Sequence, residues 1–162
     1  MIIKTYLTSI GNVTIGEADG YITNIYFGSD ILPDNVEVKE TPLIKETIEK
    51  INLYLSGKLE YIDVPIKLEG TEFQKLVWNQ LTKVPYGKTC TYKDIAVAIG
   101  NEKACRAVGN ANNKNKIPII IPCHRVIGTN GKLVGYAGGL DIKEKLIDIE
   151  EKHNKILKKY KI

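Results

Sequence analysis

The 162-residue chain reads as an α+β protein. Three observations predict it: an N-terminal run of strand-like segments split by turn pairs, a later series of capped segments with apolar residues at helical spacing, and a globular composition, 43% hydrophobic and 26% charged. Residues 2–8, 13–17 and 21–27 are strand-like, and Gly11-Asn12 and Asp19-Gly20 supply the turns between them. Thr41-Pro42 then offers a helix N-cap and a first-turn proline. Ile44, Ile48, Ile51 and Leu55 repeat at helical spacing, and Gly57 closes the helix. This first part, residues 1–68, is a small α/β unit without a catalytic constellation.

The second part, residues 69–162, is mainly helical. A capping box, Thr71-x-x-Gln74, opens a helix carrying Phe73, Leu76, Val77 and Leu81 on one face, with Trp78 at its border packing between the two parts. Pro85-Tyr86-Gly87 ends it in a turn. Thr91-x-x-Asp94 caps a short helix through Ile95, Ala96 and Ile99, Gly100-Asn101 breaks it, and a further helix runs from 102 to about 112. Two short helices across a glycine-containing turn have the form of a helix-turn-helix, a form shared by any helical hairpin. A last helix starts at Asp141 and ends in a Lys-rich tail, 155–161.

Charge is divided unequally. Residues 1–68 carry six Lys/Arg against ten Asp/Glu, whereas 69–162 carry 17 against nine. A basic second part suits a polyanion such as nucleic acid and equally suits a solvated lysine surface. The N-terminus lacks the basic-then-apolar build of a signal peptide, and the longest apolar stretch, 117–122, is too short to span a bilayer, so a cytoplasmic location without membrane contact is expected. Cys90, Cys105 and Cys123 form no CxxC, and no Cys or His precedes Cys90. A disulfide framework and a structural metal are therefore not expected.

The chemistry centres on one segment. Residues 117–122, Ile-Pro-Ile-Ile-Ile-Pro, are β-branched and bracketed by prolines, which predicts a buried, extended strand delivering Cys123 to the rim of the core. His124 and Arg125 follow, then a loop with Gly128, Gly131, Gly135, Gly138 and Gly139. A free thiol titrates near pH ~8.5, so a nucleophilic Cys123 needs a base. His124 is the adjacent candidate, reached through a water or a bend, and Glu150 or Glu151 could orient its ring. Taken alone, the pair fits a buried structural thiol better than a nucleophile. Cys90 and Cys105 read as packing residues and His153 as a solvated one.

Five ordered blocks make the pattern specific: Thr71-Glu72-Phe73-Gln74 with Val77-Trp78, Pro85-Tyr86-Gly87-Lys88-Thr89, Arg106-Ala107-Val108-Gly109, the run Ile121-Pro122-Cys123-His124-Arg125-Val126-Ile127-Gly128, and Gly135-Tyr136-Ala137-Gly138-Gly139-Leu140. They resemble the O6-alkylguanine-DNA alkyltransferases, also called methylated-DNA–protein-cysteine methyltransferases, strongly over about residues 69–151. The resemblance implies a ribonuclease-H-like N-terminal domain (1–68) and an alkyltransferase domain with a helix-turn-helix (69–162). It implies direct repair of double-stranded DNA: Cys123 takes a methyl or other alkyl group from O6 of guanine, and possibly from O4 of thymine, once per molecule and without a cofactor. His124 would relay the thiol proton through water, with Glu150 rather than Glu151 holding its ring. Tyr92 would protonate the leaving base, and Arg106 would fill the gap left by the flipped nucleotide. Asn115 would brace the active-site turn. Carbonyls of Cys123 and Val126 would accept from the guanine amine, the Ala137 N–H would meet O6, and Tyr136 would wall the pocket. Arg125, Gly109 and Ala111 are counted with the DNA- and substrate-binding residues, the last two on a helix entering the minor groove. Asn113 and Lys116 stand where a glycine and a proline are common in the family. A monomer in solution is expected. The rival classes are a DNA-binding regulator without chemistry and a Cys-His hydrolase.

Overall fold

The computed structural model describes residues 1–136 and 138–160, with side chains through Ile156; Ala137, Lys161 and Ile162 lie outside it. Strands β1 (Ile2–Thr8), β2 (Gly11–Ala18) and β3 (Tyr21–Phe27) form an antiparallel meander. Asp19 (φ 53°) and Gly20 (φ 81°) are both left-handed, the conformation that a two-residue hairpin turn demands at each position. A fourth strand, β4 (Glu37–Val38), pairs parallel with β1 and completes the order β3-β2-β1-β4. Two exposed residues leave no alternation to read, so β4 had no sequence signal. Helix α1 (Pro42–Leu55), capped by Thr41 Oγ1 accepting from Ile44 N at 3.0 Å, packs on this sheet.

The outer edge of β3 is covered by later chain. Ile22 N donates to Pro65 O (2.8 Å), Lys67 N to Ile22 O (3.0 Å) and Ile25 N to Lys116 O (2.9 Å). The connector at 65–67 thus covers one stretch of an edge that would otherwise present free N–H and C=O groups, and Lys116 ties the second part to another. Helices α2 (Glu72–Leu81), α3 (Tyr92–Ala98), α4 (Cys105–Asn113) and α5 (Leu140–Tyr160) make up most of the remainder, with a two-stranded parallel pair, β5 (Cys90–Thr91) and β6 (Val126–Ile127). Both predicted capping boxes form, at Thr71/Gln74 and Thr91/Asp94. Trp78 is 1% exposed, and its Nε1 donates to Ala111 O at 2.8 Å. One continuous core runs from Val13 and Ile15 through Val77 and Val108 to Ile121 and Leu146. Among the described residues no helix is long and apolar enough to cross a membrane.

The structure departs from the sequence reading in three places. Residues 117–122 are a turn rather than a strand: Ile121 N donates to Ile117 O at 2.9 Å, and Ile119 sits at φ 74°. The two prolines cannot donate to a ladder, and Asn115 supplies the bonds that close the turn instead. The helix expected from 102 begins at Cys105 without a side-chain cap, because residues 101–104 form a turn closed by Ala104 N on Asn101 O. His153 is half-buried rather than solvated; its Nδ1 lies 2.7 Å from Ile149 O, and its ring lies against Gly57.

Gly57 has φ 77°, and a Cβ there would fall 1.7 Å from His153 Nε2. Gly57→Ala therefore combines a left-handed penalty of about 1–2 kcal/mol with displacement of the His153 ring. The thermal midpoint is expected to drop by about 2–8 °C. Calorimetry of the variant beside Gly11→Ala checks it, because Gly11 shares a positive φ but has open space at Cβ; equal losses would show that the His153 contact contributes nothing.

Candidate active site

The turn at 117–122 is what presents Cys123. Asn115 braces it from both ends, its Nδ2 donating to Ile121 O (2.8 Å) while its Oδ1 accepts from Ile117 N (3.0 Å). Asn112 Nδ2 donates to Cys123 O at 3.3 Å. A buried β-branched residue at positive φ, such as Ile119, costs about 1–3 kcal/mol and persists only where its surroundings over-determine it. After Pro122 the chain makes one 3₁₀ turn, Cys123–Arg125, so that thiol and imidazole are carried on a bend rather than an extended strand.

Both groups are dry: Cys123 is 3% exposed and His124 0%. His124 Nε2 lies 2.5 Å from Glu150 Oε2. Oε2 also accepts from the Tyr54 hydroxyl and from Arg125 Nη2 (3.1 Å), and Oε1 accepts from Arg125 Nε (2.8 Å) and Gly87 N (3.2 Å). Burial pushes the Glu150 carboxyl up, but hydrogen bonds and charge from His124 and Arg125 outweigh it and bring the group to about 2. An ionised Glu150 is a pure acceptor, so Nε2 carries the ring proton and Nδ1 is left as the acceptor. Nδ1 is buried and has no protein partner among the described residues. Burial, reinforced by the charges of Arg125 and Lys143, lowers the His124 pKa in spite of Glu150 and keeps the ring neutral. Burial also pushes the Cys123 thiol up to about 11, against the pull of Asn115 and Lys143. About one molecule in ten thousand then holds a thiolate at neutral pH, so the sulfur depends on a base.

A cleft of about 460 Å³, lined by Tyr92, Arg106, Gly109, Asn113, Val134 and Gly135 among others, adjoins this centre through Tyr92, whose phenol is raised by burial and then by the Cys123 sulfur. The Tyr92 hydroxyl donates to Val134 O (2.9 Å), which also accepts from Lys143 Nζ (2.9 Å). Tyr136 packs at 5.8 Å on Phe27 of β3, and a Cβ at Gly138 would meet Phe27 Cδ2 at 2.6 Å. The N-terminal sheet thus supports the glycine-rich loop directly. Burial first, then the Cys123 sulfur, raises the Tyr136 phenol well above its ordinary range.

Cys123, His124, Glu150, Tyr92, Asn115, Tyr136, Val126, Gly109 and Arg106 are gathered around the turn and its cleft. Glu151 is exposed and plays no part. Two expected DNA or substrate contacts need correction. Arg125 is 8% exposed and fully engaged with Glu150 and Val84 O (2.7 Å), and Ala111 is 2% exposed on the inner side of α4, its carbonyl bonded to Trp78. Ala137 lies outside the described residues. Cys90 is pushed up to about 11 by burial and then by Asp94, which fits a packing thiol. Residues missed by sequence reasoning are Tyr54, Phe27, Gly87, Asn112 and Lys143. Two of them had a signal: Lys143 shares one helical face with Leu146 and Glu150 at i, i+3 and i+7, and Gly87 stands in one of the five motif blocks.

Residues 72–152 match the family described as 6-O-methylguanine DNA methyltransferase, DNA binding domain. The chain belongs to the 6-O-methylguanine DNA methyltransferase family. A methylated-DNA–protein-cysteine methyltransferase of Methanosarcina barkeri is 56% identical over 122 residues, 75% of this chain and 76% of the relative. The constitutive one of Bacillus subtilis is 41% identical over 88% of this chain and 91% of its own. The crystal structure of Mycobacterium tuberculosis OGT in complex with DNA superposes on this family member with a TM-score of 0.89, at 37% identity and 94% coverage of each chain. The α+β fold of the family thus extends over the N-terminal sheet as well as the matched domain.

The buried centre sets a pH dependence of stability for this family member. His124 titrates below its ordinary 6.5, so under that pH the unfolded chain takes up a proton that the folded one does not. Glu150, brought from 4.5 to about 2, acts with the same sign below 4.5. Stability should be level between about pH 7 and 8 and fall steadily on acidification below that. Glu150→Gln leaves Arg125 buried without its anion, and the thermal midpoint at neutral pH should drop by about 5–10 °C. Urea titrations between pH 4 and 8 check both; an unfolding midpoint that is flat across that window contradicts the assignment.

Proposed function

We propose that this chain repairs DNA by direct reversal, moving a methyl or other alkyl group from O6 of guanine to Cys123. The observation that carries the reading is a buried thiol one residue from a neutral imidazole whose Nδ1 has no protein partner among the described residues, beside a cleft lined by Tyr92 and Arg106. Family membership supports the same chemistry. Cys123 Sγ attacks the alkyl carbon as the bond to O6 breaks. The thiol proton passes to His124 Nδ1 through a water, while Glu150 holds Nε2–H. Tyr92, its phenol kept neutral by burial, gives a proton to the departing guanine. The product is a thioether with no leaving group, so each molecule acts once.

A stacked base cannot bring its alkyl group to a buried sulfur, so the nucleotide must be flipped out, at a cost of a few kcal/mol. Arg106, exposed at the cleft mouth, fills the vacated stack from α4, which with α3 enters the minor groove as a helix-turn-helix; Gly109 lets the backbone approach. The carbonyls of Cys123 and Val126 and the N–H of Ala137 read the base, and Tyr136 walls the pocket. Asn115 braces the turn. Residues 1–68 form a ribonuclease-H-like domain and 69–162 the alkyltransferase domain. The protein acts as a monomer in the cytoplasm, and O4-alkylthymine is a second substrate.

Incubation with a duplex carrying O6-methylguanine, followed by mass spectrometry, tests the central step. One methyl should appear on the peptide containing Cys123, in proportion to lesion and without turnover. A regulator would gain no mass and a hydrolase would return to its starting mass. Cys123→Ala should abolish transfer and keep DNA affinity. Arg106→Ala should slow transfer from duplex DNA by about tenfold or more, because unstacking is no longer offset; transfer at the parental rate would remove Arg106 from the flipping step.

A further inference from the structure

We propose that Tyr54, on the last turn of α1, is a positioning residue for alkyl transfer that keeps His124 in its proton-accepting form by taking a share of the Glu150 carboxylate. The proposal rests on the alkyl-transfer reading above and adds to it a residue from the N-terminal part. Tyr54 is 1% exposed; its hydroxyl donates to Glu150 Oε2, and the hydroxyl oxygen lies 3.3 Å from His124 Nε2.

A carboxylate 2.5 Å from an imidazole in a dry site would ordinarily favour the imidazolium strongly. A ring already protonated cannot accept from Cys123. Here Glu150 receives five donors, from Tyr54, His124, Gly87 and two nitrogens of Arg125, against about four lone-pair sites on a carboxylate. Three of the five converge on Oε2, so His124 has only part of that oxygen. The titratable groups around the His124–Glu150 pair are Lys143 from α5, Arg125 and Cys123 from the turn of His124, Tyr54 from α1, Tyr86 from the turn after α2, whose ring meets Tyr54 edge-on at 6.2 Å, and Tyr136 from the glycine-rich loop. One anion therefore stands against two cations and three neutral phenols. Tyr54 has a role distinct from that of Arg125. Burial first, then Glu150, keeps its phenol protonated, so it always has a proton to donate and adds no charge of its own. It weakens the hold of Glu150 on the imidazolium while keeping Oε2 aimed at Nε2.

Two variants of the full chain test this. In Tyr54→Phe the share of Oε2 held by the phenol is released, leaving that oxygen to His124 and Arg125 alone. The midpoint for His124 protonation, read by NMR of the imidazole without DNA, should rise by about half to one pH unit. The acid limb of the single-turnover methyl-transfer rate should move up with it, so that the loss is several-fold greater at about pH 6 than at about pH 8. Replacing Tyr54 by 3-fluorotyrosine, a stronger donor, should shift both the other way, and it carries the test alone if the phenylalanine variant does not fold. An unmoved His124 midpoint in the folded variants, or a rate loss equal at every pH, overturns the proposal. Absence of transfer by the parent chain would overturn the repair reading instead, and the NMR arm separates the two.

Discussion

The Glu150 carboxylate is the point on which the site depends. It is 2% exposed on α5 and bound by donors from three other parts of the chain: α1, the turn after α2, and the turn that carries Cys123. A buried anion is tolerated only when it is paired and hydrogen-bonded, and here the pairing sets the chemistry as well. Arg125 balances its charge, which leaves His124 free to stay neutral, and the bond to Nε2 leaves the buried Nδ1 as the unprotonated ring nitrogen. Packing of the two parts and the protonation state of the base are thus one problem with one solution.

The thiol is set up by the opposite means. Nothing charged is bonded to Cys123, and burial raises it, so the resting sulfur is an unreactive thiol until a proton is taken from it. Its position comes from a turn that the backbone would not adopt freely. Ile119 at φ 74° is held because Asn115 satisfies both ends of the turn, and because Lys116 is tied to the edge of β3. The N-terminal sheet accordingly reaches the site three times, through that edge bond, through Phe27 under Tyr136 and Gly138, and through Tyr54 from the helix above it. The N-terminal segment is thus a structural partner of the one that carries Cys123 and His124.

Much of this was legible beforehand, for reasons that differ by element. The N-terminal strands, α1 and the two capping boxes are local: turn residues, Thr41-Pro42 and the spacing of Ile44, Ile48, Ile51 and Leu55 act within a few residues of one another. The turn at 117–122 was misread because β-branched residues between prolines suit a strand, and the bonds that bend it come from Asn115, whose side-chain direction a sequence does not specify. Arg125 and Ala111 were assigned to DNA on a helix and a loop whose inward faces became visible only when Glu150 and Trp78 were in place.

The sequence by itself determined the α+β order of elements, the basic second part, and the pairing of Cys123 with His124, since each follows from composition or short spacing; its motifs also pointed to Glu150. Only the tertiary structure decided how that carboxylate is shared. Tyr54 is 96 residues from Glu150 and 70 from His124, and no periodicity or local motif couples positions so far apart. Their meeting results from packing α1 and α5 against a common core, and burial there turns a neutral phenol, a cation and an imidazole into competitors for the same two oxygens.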